Sequence, residues 1–154
     1  MRCEDAWGKT PSAAWMPSNI SVKSGKNGTT RLKLLLDTNV ILNFLRKTSD
    51  NFDLSSLLSQ HECFTSIIVK LELLKYPNIT PDEENAINEF LRLIPIISLS
   101  QSIESETITL SRSTKLKLPD AIIGATAIVY GAEVVTRDSN FFECQYVKLK
   151  VYPI

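Results

Sequence analysis

The stretch Leu34-Leu35-Leu36-Asp37-Thr38-Asn39-Val40-Ile41-Leu42 constrains this chain more than any other, because an apolar run breaks on an acid and resumes with a different spacing. Leu32, Leu34, Leu35 and Leu36 form a nearly continuous apolar run, the pattern of a strand covered on both faces in a parallel sheet. Beyond the acid, Val40, Ile41, Phe44 and Leu45 recur at helical intervals. Asp37 therefore stands where a buried strand gives way to an amphipathic helix, and in open parallel sheets that edge is where ligands bind. The position also has a purely architectural explanation, since Asp, Thr and Asn are ordinary helix caps. Only further acids converging on the same edge separate the two.

The rest of the chain repeats the alternation of strand and helix. Phe52, Leu54, Leu57 and Leu58 predict a short helix, and Glu62–Ser66 a short strand. A helix follows over Ile67–Leu74, with Ile67, Ile68, Leu71 and Leu74 as its apolar stripe and Tyr76-Pro77 as its end. Thr80-Pro81-Asp82-Glu83 opens the next helix with a cap residue, a first-turn proline and first-turn acids, and Ala86, Ile87, Phe90, Leu91 and Ile94 mark its inner face. A third strand is expected over 95–99, and a weakly periodic helix over 101–117, through Ile103, Thr107 and Leu110. Pro119-Asp120 then leads into 121–131, apolar nearly all round and rich in small residues, which predicts a central helix packed closely on its neighbours and stopped by Gly131. A strand over 133–136, a turn and brief helix over 137–142 and an alternating strand over 147–151 complete the chain. Regular alternation of this kind implies a three-layer α/β/α sandwich around a central parallel sheet.

The length, 154 residues, fits one domain, expected over 31–154. Residues 1–30 differ in texture: Gly8, Pro11, Pro17, Gly25 and Gly28 are scattered among polar residues, and an unstructured leader is expected there, with Trp7 and Trp15 as anchors if it is a docking arm. Its Gly8-Lys9-Thr10 lacks the preceding glycine and strand of a phosphate-binding loop, since position 3 is Cys. Seventeen Lys and Arg balance seventeen Asp and Glu, so any nucleic-acid binding has to come from a local patch. Cys3, Cys63 and Cys144 are odd in number and widely spaced, which argues against a disulfide framework and a zinc knuckle and favours a reducing cytoplasm. His61 lies in a polar stretch and reads as a solvated loop residue with no partner spacing for a nucleophilic triad. No apolar run approaches the length that spans a bilayer, so no membrane partner is expected.

Three more acids bear on Asp37. Asp120 begins the small-residue helix, Asp138 follows directly on the strand Val134-Val135-Thr136, and Glu72 neighbours the apolar stripe of a strongly hydrophobic helix. Each has its own bland explanation as a cap, a turn residue or a solvated helical charge. Taken together, carboxylates at one edge of a parallel sheet repel one another unless a cation neutralises them. A hard divalent ion, Mg²⁺ or Mn²⁺, suits such a donor set and activates water for attack on phosphorus, so phosphodiester hydrolysis is the chemistry these acids favour.

The stretches 35–42, 66–74, 118–127 and 135–141, each carrying one of these acids, closely resemble the successive motifs of PIN-domain nucleases, particularly the VapC-type toxins of toxin–antitoxin pairs. The resemblance runs from about Leu32 to the final Tyr152-Pro153-Ile154; the segment before Arg31 departs from the pattern. It implies a PIN-like fold, with Asp37, Glu72, Asp120 and Asp138 as metal-binding acids, Thr136 assisting through its hydroxyl and Asn39 orienting the first acid. It also implies metal-dependent endoribonuclease activity on structured RNA, a small antitoxin partner whose tail occupies the cleft, and a homodimer. A phosphate-binding rim is expected among Arg46, Lys47, Lys70, Lys75, Arg112, Lys115, Lys117 and Arg137, with Arg137, Arg46, Lys70 and Lys115 the foremost candidates. Two other readings compete. A non-catalytic RNA- or protein-binding module would be signalled by loss of one acid, yet all four are present; an aspartyl-phosphate phosphatase wants a second Asp where position 39 is Asn.

Overall fold

The structure, a computed structural model, describes residues 30–47 and 52–154. Most of the expected leader lies outside the described residues. Strand β1 (Lys33–Leu36) is followed by α1 (Thr38–Leu45), α2 (Leu54–Gln60), β2 (Glu62–Ser66), α3 (Ile67–Leu74) and α4 (Pro81–Leu91). Then come β3 (Ile96–Ile97), α5 (Gln101–Ser113), α6 (Leu118–Tyr130), β4 (Glu133–Val135), α7 (Ser139–Phe142) and β5 (Lys150–Tyr152). The strands form one all-parallel sheet in the order β3-β2-β1-β4-β5, flanked by helices as the expected three-layer α/β/α sandwich.

β1 is the central strand, pairing with β2 through Leu34↔Cys63 and with β4 through Leu35↔Val134. Its three leucines are fully buried, because helices cover both faces of a sheet whose side chains alternate between them. The chain leaves β1 toward β2 and β3, then returns to lay β4 and β5 on the other side. The strand order therefore reverses between β1 and β4, and a crevice opens there at their carboxyl ends.

Local signals explain most of the helices. α4 begins with a complete capping box: the Thr80 hydroxyl accepts from the Glu83 amide, and the Glu83 carboxylate accepts from the Thr80 amide. α6 ends where Gly131 takes a φ of 64°, a left-handed conformation that glycine adopts at no steric cost. Near its middle, Gly124 lets α5 approach so closely that a Cβ there would lie 2.9 Å from Leu110 Cδ2.

Besides shorter elements, among them β3 at Ile96–Ile97 rather than 95–99 and α4 ending at Leu91 before Ile94, four details depart from the sequence expectation. α5 stops at Ser113 rather than 117, because Thr114 is extended and its hydroxyl accepts from the Leu116 amide, starting a turn. The last strand covers Lys150–Tyr152 rather than 147–151; Val147 is 92% exposed, and the Leu149 amide closes a turn onto the Tyr146 carbonyl. In α3 the fully buried residues are Val69 and Leu73, while Leu71 is largely exposed: the helix is apolar nearly all round, so spacing alone could not single out its inner face. His61 is buried, accepting from the Leu32 amide through Nδ1 and packing against Tyr152, rather than solvated.

Because the α5–α6 contact sets where α6 and its Asp120 lie, Gly124→Val should force Leu110 out of place and destabilise the protein by about 2 kcal/mol in urea unfolding, the usual scale of overpacking.

Candidate metal centre

The end of β1 is joined to the end of β4 by side chains as well as by the sheet. The ladder reaches its last rung where the Asp37 amide donates to the Val135 carbonyl at 3.1 Å. One residue further along β4's path, the fully buried Thr136 hydroxyl donates to Asp37 Oδ2 at 2.6 Å. Asn39 Nδ2 reaches the same carboxylate oxygen at 3.1 Å and Thr136 Oγ1 at 3.2 Å. Its Oδ1 accepts from the Arg137 amide at 3.1 Å, which ties the first turn of α1 to the residue after Thr136. Thr136 Oγ1 also accepts from the Asp138 amide at 3.0 Å.

Asp37 caps α1 as well: its Oδ1 accepts from the Thr38 amide at 2.7 Å. The sequence offered capping and a site carboxylate as competing explanations of Asp37; Thr38 and Asn39 lie inside the helix, and Asp37 caps it with one oxygen while the other is held by Thr136 and Asn39. Thr38 turns elsewhere and donates its hydroxyl to Glu72 Oε2 at 2.5 Å, linking α1 to α3. That contact was not anticipated, and its only sequence trace is a hydroxyl at the first helical position beside the acid. Asp138 likewise caps α7 through the Asn140 amide at 2.9 Å. Asp120 is no cap. It sits in the first turn of α6, whose N-cap residue, Lys117, makes no side-chain cap bond.

All four acids lie within one electrostatic neighbourhood. Burial raises Asp37 to a pKa of about 6, against the lowering effect of the Thr136 and Thr38 hydrogen bonds, and the charges of Glu72 and Asp120 push it further up. Asp120 is also raised, first by burial, then by Asp138 and Glu72, with Lys117 acting in the opposite sense. Negative charge is thus concentrated where the sheet order reverses. Among the described residues no three acid, histidine or cysteine side chains stand together as a group that could hold a metal ion. Carboxylate oxygens are the donors that a hard divalent cation takes, and one that keeps much of its water needs only one or two of them directly. Asp37, Glu72, Asp120 and Asp138 are the groups that would hold it.

The basic residues are distributed unevenly. Arg137, next to Asp138 in the chain, is exposed, with its guanidinium 6.0 Å from the Phe52 ring centroid. Lys117, at the mouth of α6, is the cation that acts on Asp120. Lys115 lines a groove between the α5–α6 turn and α7. Arg46 lies at the opposite end of α1, where Tyr76 and Glu83 act on it, and Lys70 faces a groove between α3 and α4 with Asn85, Asn88 and Arg92. Neither Arg46 nor Lys70 is gathered with the acids. The buried Cys63 thiol is pushed up to about 12 by desolvation, so it is not a thiolate nucleophile.

A parallel sheet that presents acids from β1, α3, α6 and the β4 edge to one crevice defines a class of acid-cleft α/β domain. The chain belongs to the PIN-domain family, whose model matches residues 34–145. No curated protein matches it. Among solved structures it is similar to a toxin–antitoxin complex from Klebsiella pneumoniae, 27% identical at a TM-score of 0.61, over 77% of this chain and 99% of that one. It also shares the fold of VapBC2 from Rickettsia felis, solved with a DNA fragment from the promoter (21% identical, TM-score 0.67, over 79% and 98% of the two chains). FitAcB from Neisseria gonorrhoeae is similar in the same way (24% identical, TM-score 0.64, over 78% and 96%).

The folded protein holds the Asp37 proton more tightly than the unfolded chain does. The stability this group contributes is therefore complete below about pH 4 and lost as pH rises through about 6, by up to about 3 kcal/mol. In EDTA, Asp37→Asn should be more stable than the native protein at pH 7.5, with the gap closing as pH falls below 6. Urea unfolding at a series of pH values measures it.

Proposed function

We propose that the protein is a metal-dependent endoribonuclease, using Mg²⁺ or Mn²⁺, and the toxin of a type II toxin–antitoxin pair. The observation that carries this reading is the convergence of Asp37, Glu72, Asp120 and Asp138 on the crevice between β1 and β4, where Glu72 and Asp120 act on Asp37 and Asp138 acts on Asp120. A divalent ion bound there would supply a water of lowered pKa and offset the charge that develops on the phosphate oxygens.

The chain's own groups prepare the site for that role. Thr136 and Asn39 hold one oxygen of Asp37 and the Thr38 amide holds the other, so its carboxylate is fixed before any ligand arrives. Thr38 orients Glu72 in the same way. Asp37, Glu72 and Asp120 form the core of the acid set, and Asp138 stands at its edge. Arg137 and Lys117 flank the acids and offer charge to the phosphates on either side of the cleaved bond. Lys115 extends that basic rim outward.

The family assignment supports a nuclease, and the likeness to a toxin–antitoxin complex supports a small antitoxin as partner. Its tail would enter the same cleft, and the toxin would act as a homodimer in the cytoplasm. Among the described residues no helix is long and apolar enough to cross a membrane.

A labelled RNA hairpin should be cut in Mg²⁺ or Mn²⁺, and cutting should stop in EDTA. Asp37→Asn and Asp120→Asn should each lower the rate at least about 100-fold, a loss of about 2.7 kcal/mol of transition-state stabilisation. Cutting that persists in EDTA and in Asp37→Asn overturns the assignment. Calorimetry of the metal alone gives a readout independent of activity.

A further inference from the structure

A groove of about 420 Å³ lies between the α5–α6 turn and α7, lined by Ser113, Thr114, Lys115, Asn140, Glu143 and Gln145. Both of its walls continue segments that carry the acids. One wall, 113–116, leads directly into Lys117 and Asp120; the other starts at Asn140, whose amide donates to Asp138 Oδ1 at 2.9 Å. Chain continuity on both walls thus puts the groove next to the segments that carry Asp120 and Asp138.

The walls are held in place. The Thr114 hydroxyl donates to the Leu110 carbonyl at 2.8 Å and accepts from the Leu116 amide at 3.3 Å, which locks the turn. On the other side the Glu143 amide donates to the Ser139 carbonyl at 2.9 Å, over a buried Phe141. The volume falls in the range of small-ligand sites, roughly 300–1,000 Å³.

The groove's chemistry identifies its occupant. Lys115 offers one cation but Glu143 offsets it, so a bare anion gains little here and a ligand has to add hydrogen bonds of its own. Among the described residues, the side-chain amides of Asn140 and Gln145 make no hydrogen bond within the protein, and their donors and acceptors remain for a ligand. Paired amides beside hydroxyls match the mixed donor and acceptor edge of a nucleobase, which single-stranded RNA leaves open.

We propose that this groove is a nucleobase-binding subsite for the nucleotide flanking the cleaved bond on the Asp138 side, with Asn140 and Gln145 reading the base and Lys115 meeting its phosphate. The proposal rests on the ribonuclease reading and adds a site of base specificity to it.

The test titrates the full-length protein, in EDTA, with each of the four ribonucleoside 5′-monophosphates and with inorganic phosphate, followed by amide chemical shifts. One nucleotide should shift residues 113–116 and 140–145 more tightly than the others and than phosphate. Asn140→Ala and Gln145→Ala, both at exposed positions, should each weaken it about fivefold, the scale of one hydrogen bond. Equal shifts from all four nucleotides and from phosphate would mean a phosphate site and overturn the proposal, as would no shift in these residues or unchanged affinity in both variants. Cleavage of a hairpin library with randomised loops separates the two readings. Cutting without base preference sinks the groove and leaves the nuclease standing, whereas base-selective binding without any cutting does the reverse.

Discussion

The Thr136 hydroxyl is the interaction on which the candidate centre depends. It is fully buried, donates to Asp37 and accepts from both Asn39 and the Asp138 amide, so one oxygen atom joins the end of β1, the first turn of α1 and the turn after β4. A buried hydroxyl with its donor and acceptor capacity used cannot rotate without leaving a polar group unsatisfied, which costs about 1–3 kcal/mol. The two strands that border the crevice are thereby held in register by the same group that aims the carboxylate.

That arrangement works against folding in one respect. Asp37 is buried beside other acids, and desolvation wins over its hydrogen bonds, which is why its pKa rises rather than falls. The compensation lies elsewhere, in an apolar core formed by the β1 leucines and by residues such as Val69, Leu73, Phe90 and Leu110. α6 shows the division of labour most clearly. Its middle is packed against α5 with no room for a side chain at Gly124, while its first turn carries Asp120 to the crevice and leaves it partly solvated. Rigid packing a few residues away allows a repulsive group to be placed accurately.

The basic residues obey a different logic. Lys117, three residues before Asp120 in the chain, still acts on it in the fold, and Arg137 adjoins Asp138 while its guanidinium turns to the Phe52 ring. Arg46 is nine residues from Asp37, yet a helix carries it to the far end of α1, toward Tyr76 and Glu83. Lys70 is two residues from Glu72, and two residues on a helix amount to more than half a turn, which sends the two side chains to different faces. Nearness in sequence is therefore a good guide at strand ends and a poor one along helices.

Most of the architecture was legible in the chain. The apolar run before Asp37 meant a central parallel strand, Thr80-Pro81-Asp82-Glu83 meant a helix start, and Gly131 meant a helix stop, because strand burial, capping and the left-handed conformation are local physics. Asp37, Asp120 and Asp138 could be named for the same reason, each sitting at an element boundary, whereas Glu72 lies within α3 and stood out only as a neighbour of that helix's apolar stripe. The inner face of α3 could not, since a helix apolar all round carries no phase, nor could the burial of His61, which depends on Leu32 and Tyr152 from other strands' neighbourhoods. The sequence by itself determined which groups stand at the ends of its strands and helices. Only the tertiary structure decided which of those ends meet: the Thr38–Glu72 and Thr136–Asp37 contacts span 34 and 99 residues, and no local preference can encode a distance that the sheet order alone brings about.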